Sequence, residues 1–349
     1  MVCALCACGQ TAAPAASTPA AEAPAAEEPA AEAPAEEAPK ADVEPVVLKV
    51  ATSQAEGSIF AESIAPAIAN IEERTEGRVT FEVYYSNALG SIADCVEQLS
   101  MGANMLVSTS ASSWAAYGCD DMTALDNMFA FASTDEIANF NESEMWANMV
   151  AELEANGNMH IICMNWAGAP RVLMTKNPVN SVADFKGVLV RVPSNTYAAW
   201  FNALGASPVS GIPFSEVYQN IESGVIDGAE APFNTLRDYS LQEVAKYAYC
   251  SNHTYAASCL GVNSAIWNMI SAEDQAVITE ELSAAGAVFT QKSADANQSM
   301  IDAMIADGVT VVNPSDEDVA ALQAAAVQAA KDLGCRDGVM DEIKAAAQG

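Results

Sequence analysis

A strand-then-helix rhythm starts twice in this chain, and the double start restricts its fold more than any other feature. The chain has 349 residues. At roughly 150 residues per domain, that length calls for two hydrophobic cores. Residues 46–51 (VVLKVA) read as a buried strand. Residues 59–75 follow as a helix, with Ile64, Ile68 and Ile71 on one face and Gly77 as its stop. Residues 79–84 alternate as a second strand, 93–101 form a short helix ended by Gly102, and 105–107 a third strand. The rhythm begins again with strands at 160–166, 171–175 and 188–192, helices at 196–204 and 213–223, and a strand at 225–230. Residues 253–262 read as a long strand returning to the first unit. One long helical stretch covers 272–306, and an Ala-rich helix covers 316–333. Strands alternating with helices predict α/β architecture with mostly parallel sheets. A chain that leaves one α/β unit, builds a second and returns predicts two lobes with a cleft between them. The expected division is 46–168 with 257–296, and 169–256 with 297–349.

The amino-terminal region follows a different logic. Leu5-Cys6-Ala7-Cys8 resembles a lipobox, in which the last cysteine receives lipid. The preceding apolar run is too short for a complete signal peptide, so the natural precursor is expected to start upstream of Met1; the alternative is a short overhang with no role. Residues 9–45 are mostly Ala, Pro and Glu without apolar periodicity, a composition that predicts an extended, disordered linker. The chain has no run of about 18 or more apolar residues, so the membrane connection expected is the lipid on Cys8 alone, placing the protein on the outer face of the cell membrane or in the periplasm.

Charge restricts the partners. With 14 Lys and Arg against 46 Asp and Glu, the net charge is −32. Such a surface repels nucleic-acid phosphates and anionic lipid. A site for an anion must therefore rest on a few local cations, and the chain has six arginines. Of the nine cysteines, the six beyond Cys8 lack C-x-x-C spacing, and His160 and His253 are the only imidazoles. No metal or cofactor is expected. Cys250 and Cys259 are left open as a disulfide or as buried thiols. No G-x-S-x-G, H-E-x-x-H or phosphate-loop element occurs in a supporting context, so no enzyme activity is expected.

The most specific segment is residues 184–232, DFKGVLVRVPSNTYAAWFNALGASPVSGIPFSEVYQNIESGVIDGAEAP. Its DxKG turn, R-V-P strand end, GASP, PFSEVY and V-I-D-G-x-E-x-P closely resemble the solute receptors of tripartite ATP-independent periplasmic (TRAP) transporters, the dicarboxylate-binding DctP-type family. Weaker likeness extends over about residues 46–340. The resemblance implies a periplasmic-binding-protein-like receptor with two lobes that close on a small organic carboxylate, and a long helix bracing both. It implies delivery of a dicarboxylate, keto acid or sugar acid to TRAP-type permease subunits driven by an ion gradient. The same closure would serve a receptor that senses a ligand for a membrane signalling partner, and the sequence leaves that alternative open.

The residues that carry binding can be named. Arg191 sits at a strand end just before Pro193, where α/β lobes open toward the crevice. A guanidinium grips a carboxylate with two parallel hydrogen bonds, which Lys cannot do. The resemblance assigns Arg191 to the ligand carboxylate, Arg171 to a second contact, Phe214 to an aromatic wall, and Glu230 to the same site. Arg171 as a hinge salt bridge, and Phe214 as packing for its own helix, are the alternatives. Some family members carry Asn directly after this Glu; here the residue is Ala231, and Asn234 is the candidate substitute. Lobe one is expected to contribute small polar groups from Ser53, Gln54, Thr109 and Ser112, with Trp114 at the pocket wall or in the core.

Overall fold

The computed structural model describes residues 45–349. Cys8 and nearly all of the 9–45 segment lie outside the described residues. The strands are β1 (Val46–Ala51), β2 (Val79–Tyr84), β3 (Met105–Thr109), β4 (Met159–Pro170), β5 (Val172–Thr175), β6 (Leu189–Arg191), β7 (Ser207–Val209), β8 (Gly228–Ala231), β9 (Tyr247–Tyr249), β10 (Tyr255–Asn263) and β11 (Thr310–Val312). They form two sheets, of order β2-β1-β3-β10-β4 and β11-β9-β5-β8-β6-β7. The fold is α/β with two lobes, one around each sheet.

The sheets are mixed, where the sequence predicted mostly parallel ones. β1 is parallel to β2 and β3, but β10 runs antiparallel to both β3 and β4. In the second sheet β5 is antiparallel to both β8 and β9. The reason is the crossing. β4 and β10 carry the chain out of the first lobe and back, so they run in opposite directions, and β5 continues the outward path. Helical βα units account for the parallel pairs; the crossings account for the rest.

The first helix, Ile59–Arg74, starts at Ser58, whose hydroxyl accepts the Ala61 N–H at 3.3 Å. Its buried face includes Ile64, Ile68 and Ile71, which join Leu48, Val50 and Leu260 in one core. Residues 120–157 form a 3-10 turn at Asp120–Asp126 and helices at Thr134–Asn141 and Glu144–Gly157. The expected helix over 213–223 is a 3-10 turn, Phe214–Glu216, followed by Val217–Glu222.

The long helix, Ala272–Ala306, has 35 residues, and at 1.5 Å per residue it is about 52 Å long. Near its start, Ile278, Leu282 and Ala285 join the first lobe's core. Near its end, Met304 joins a core of the second lobe with Ala248 and Val309. At mid-length it lies close against β4. A Cβ at Gly286 would come within 2.5 Å of Asn165 Oδ1, so glycine permits the approach. Asn165 Nδ2 donates to the Ser283 carbonyl at 2.7 Å, and Thr290 Oγ1 donates to the Asn165 carbonyl at 3.1 Å. Among the described residues no helix is long and apolar enough to cross a membrane.

One part of the expected division changes. The last helix, Val339–Ala347, falls in the span assigned to lobe two, yet Val339, Met340, Ile343 and Ala347 are buried with Leu99, Trp114 and Phe140 of the first lobe. An apolar face buries where a matching surface is free, and the helices of 134–157 offer one. In the reverse direction, Met128 and Phe129 reach into the core around Phe185 and Trp200.

Candidate ligand-binding site

The two crossing strands lie side by side, with Tyr255 opposite Pro170 and Ala257 opposite Ala167. Just beyond them the Arg171 N–H donates to the Thr254 carbonyl at 3.0 Å. This ladder fixes the backbone of Arg171 at the passage between the sheets. Its guanidinium is fixed as firmly. Nε donates to Glu230 Oε2 at 2.6 Å, and Nη2 donates to Oε1 at 2.7 Å and to the Glu230 carbonyl at 3.1 Å. Glu230 is 0 % exposed on β8. Its Oε2 also meets His253 Nε2 at 3.2 Å, and His253 Nδ1 meets Ser251 Oγ at 2.8 Å.

Electrostatics set the protonation states of this chain of contacts. Burial pushes Glu230 up, but the Arg171 charge and the hydrogen bonds from His253 and Arg171 hold it below its ordinary value. Burial likewise works against the Arg171 charge, and Glu230 overrides it, so its pKa is raised. An ionised Glu230 needs a donor, so Nε2 of His253 carries the proton and Nδ1 accepts from Ser251. Burial lowers the His253 pKa against the pull of Glu230. The imidazole also stacks on Trp200 at 4.8 Å, and the Tyr197 ring lies 5.1 Å from Arg171 Cζ.

A pH dependence of stability follows. Folded His253 takes up its proton at lower pH than the unfolded chain, whose histidine titrates near 6.5. Below that value the unfolded state binds more protons, so stability falls with pH. Glu230 acts in the same sense further down, because its folded value is also depressed. His160 is depressed as well and contributes with the same sign. Melting temperature should therefore drop between pH 7 and pH 5, and His253→Gln should flatten part of that slope. An unchanged slope in His253→Gln would rule out this source.

Arg171 opens into a cavity of about 390 Å³. Ser110, Ser112 and Asp126 line it from the first lobe, Arg171, Thr196 and Tyr197 from the second, and Thr254 to Ser258 pass along it. The other expected residues distribute unevenly. Arg191 ends β6 beside β8; its Nε donates to the Ile212 carbonyl at 3.0 Å and its Cζ stands 5.1 Å from the Phe214 ring. Burial lowers its pKa, and Glu230 partly restores it. Arg191 and Phe214 form one unit but do not line the cavity. Thr109 bonds Ser113 Oγ at 2.9 Å beneath the wall. Ser53, Gln54 and Asn234 are exposed and lie outside the lining.

Trp114 and Glu230 are both fully buried. Trp114 is 0 % exposed and packs on Gly261, where an added Cβ would lie 2.5 Å from its ring, so it belongs to the core. Glu230 is behind Arg171 and orients it; full burial keeps it from solvent. Cys250 and Cys259 are both free and buried. Sequence reasoning missed Asp126, Tyr197 and His253 as site residues. Asp126 was one of 46 acids in a stretch with no motif. His253 was visible only as a lone histidine, 23 positions from its partner Glu230.

Comparison with known proteins identifies the family and the fold. The family model described as bacterial extracellular solute-binding protein, family 7 (DctP) matches residues 50–334. The chain is 28 % identical over 271 residues to the C4-dicarboxylate-binding periplasmic protein DctP of Rhodobacter capsulatus, covering 74 % of this chain and 79 % of that protein. It is 26 % identical over 249 residues to the 2,3-diketo-L-gulonate-binding periplasmic protein YiaO of Escherichia coli, covering 70 % and 74 %. A TRAP periplasmic solute-binding protein from Ochrobacterium anthropi with bound L-fuconate superposes with a TM-score of 0.71 at 26 % identity, covering 87 % of this chain and 99 % of that one. An apo open structure of one from Escherichia fergusonii gives 0.79 at 22 % identity, covering 86 % and 99 %. With the family match spanning both sheets and the crossing between them, the chain belongs to the DctP family of bacterial extracellular solute-binding proteins.

Proposed function

We propose that this chain is an extracytoplasmic receptor that captures a small organic carboxylate in its cleft and delivers it to TRAP-type, ion-gradient-driven permease subunits. The observation that carries the reading is Arg171: a guanidinium clamped by a buried carboxylate and imidazole, at the wall of a cavity lined from both lobes. Fixed charge at such a wall binds an anion with little reorganisation. Arg191, steadied by the Ile212 carbonyl and Phe214, supplies the second cationic contact when the cleft closes. Ser112 and neighbouring hydroxyls bind the remainder of the solute, with Thr109 behind them. Ser53, Gln54 and Asn234 are peripheral contacts of the closed form. Small organic acids are the solute class, and the relatives named above are described as binding a C4-dicarboxylate, 2,3-diketo-L-gulonate and L-fuconate.

The site binds and does not transform. The imidazole nearest the cavity is 0 % exposed, with both ring nitrogens engaged, so it is not offered to a substrate. The lobes proposed are those of the sequence division, with the last helix counted in lobe one, and the paired crossings together with the long helix form the hinge. Cys8 carries the lipid anchor, and 9–45 is the tether that lets the receptor reach its permease.

Closure makes binding visible as stability. A solute held by groups from both lobes binds the closed form better than the open one, which is the condition for shifting that equilibrium. At about 100 times its dissociation constant, the right acid should add roughly 2.7 kcal/mol. Calorimetry and thermal shift with succinate, L-fuconate, L-galactonate and their methyl esters test this. An ester binding as tightly as its acid would overturn the carboxylate reading, and a sugar amine or neutral sugar binding best would replace it.

A further inference from the structure

We propose that Asp126 is a specificity-determining residue of the cleft: it accepts a hydrogen bond from a hydroxyl or ammonium on the solute and rejects acids that bring a second carboxylate. The proposal rests on the carboxylate-receptor reading and narrows it. Among the cavity-lining residues, Asp126 and Arg171 are the one Asp and the one Arg, with no Glu and no Lys. Arg171 directs Nε and Nη2 toward Glu230, which leaves its outward edge to a solute carboxylate. Asp126 makes no ion pair among the described residues. The cavity wall therefore holds, opposite Arg171, one carboxyl group that no cation among the described residues pairs. A solute carboxylate can take the outward edge of Arg171 and the serine hydroxyls; a second carboxylate must meet Asp126 in a partly water-excluded space, where like charges repel strongly.

Asp126 is held in place. Its Oδ2 accepts the Ser112 N–H at 2.9 Å. It ends the 3-10 turn Asp120–Asp126, and its neighbour Asn127 is buried and donates to the Ala326 carbonyl at 2.9 Å. Ser110 and Ser112 lie 3.3 Å apart through their hydroxyls, so the carboxylate is flanked by donors that can also turn toward a solute. Burial pushes the Asp126 carboxyl above its ordinary range, and bonds from Ser112 only partly offset this, so a donor supplied by the solute relieves it. This arrangement suits a monoacid rich in hydroxyls or a zwitterion, and it disfavours a dicarboxylate.

The test is calorimetry on the full chain with three probes: L-galactonate for hydroxyl donors, 4-aminobutyrate for an ammonium, and succinate for a second carboxylate. The wild type should bind L-galactonate or 4-aminobutyrate at least tenfold more tightly than succinate, and whichever is tighter identifies the donor. Asp126→Asn should cut that preference by tenfold or more, chiefly by improving succinate, with the melting temperature of the free protein held within a few degrees. Asp126→Ser serves the same comparison should the first variant fold poorly. Succinate binding the wild type as tightly as the other two overturns the proposal, and so does an unchanged preference in both variants, while the receptor reading stands. Failure of the wild type to bind any of the three acids overturns the receptor reading, and this proposal with it.

Discussion

Replacing Glu230 by alanine should destabilise the protein by about 3–5 kcal/mol, because it leaves the largely buried Arg171 guanidinium with no counter-charge. At roughly 2.1 cal/mol/K of unfolding entropy per residue, a loss of that size lowers the melting temperature by about 6 °C in a fold of this length. Most of the cost is the stranded charge rather than the bond itself. The double variant Arg171→Met with Glu230→Leu should therefore recover most of the lost stability, since a buried ion pair replaced by apolar groups of similar volume is often neutral. It should not recover solute binding, since the cationic wall is gone. Chemical denaturation of the three proteins separates these contributions. A Glu230→Ala variant as stable as the wild type would mean that the contact is dispensable, and a double variant that binds the acid would mean that Arg171 is not its anchor.

The second large effect is expected at Arg191. If Arg191 holds the solute carboxylate as proposed, Arg191→Ala removes a charge-assisted contact, and loss of such a partner costs on the order of 2–5 kcal/mol, which is a roughly thirtyfold or greater rise in dissociation constant. The free protein should change little, because the Arg191 side chain bonds one carbonyl and stands over one ring where β6 ends between β7 and β8. Arg191→Lys should recover little, as an ammonium offers no planar fork. Phe214→Ala should cost less, about 0.5–2 kcal/mol for a lost cation–π contact. Titration with the identified acid decides the matter; near-native affinity in Arg191→Ala would remove it from the site.

The sequence carried local information well and long-range pairing poorly. The helix at Ile59–Arg74 was legible because Ile64, Ile68 and Ile71 repeat at helical spacing, and Ala272–Ala306 because nothing in it breaks a helix. Arg191 at a strand end was legible from the Pro that follows. Strand direction was not, because it depends on where the chain crosses between sheets, and no local pattern marks a crossing. The same limit hid the site's chemistry. Arg171 and Glu230 are 59 residues apart, and His253 lies on a third segment, so their meeting is a property of the topology. Trp114 shows the converse: its type suited either a pocket or a core, and Gly261 on β10 decided for the core.

The position of β10 has a consequence for how the chain reaches this state. β10 lies between β3 and β4 in the first sheet, yet it follows β5 through β9 in the chain. The first lobe is therefore open at its centre until the second has been laid down, and the second lacks β11 until the long helix has been traversed. Neither core can close early, and both depend on contacts between distant segments, whose loop-closure entropy must be overcome before any contact rewards it. A chain of this design cannot complete either sheet until most of its length is present, so its two lobes are expected to become stable together and late.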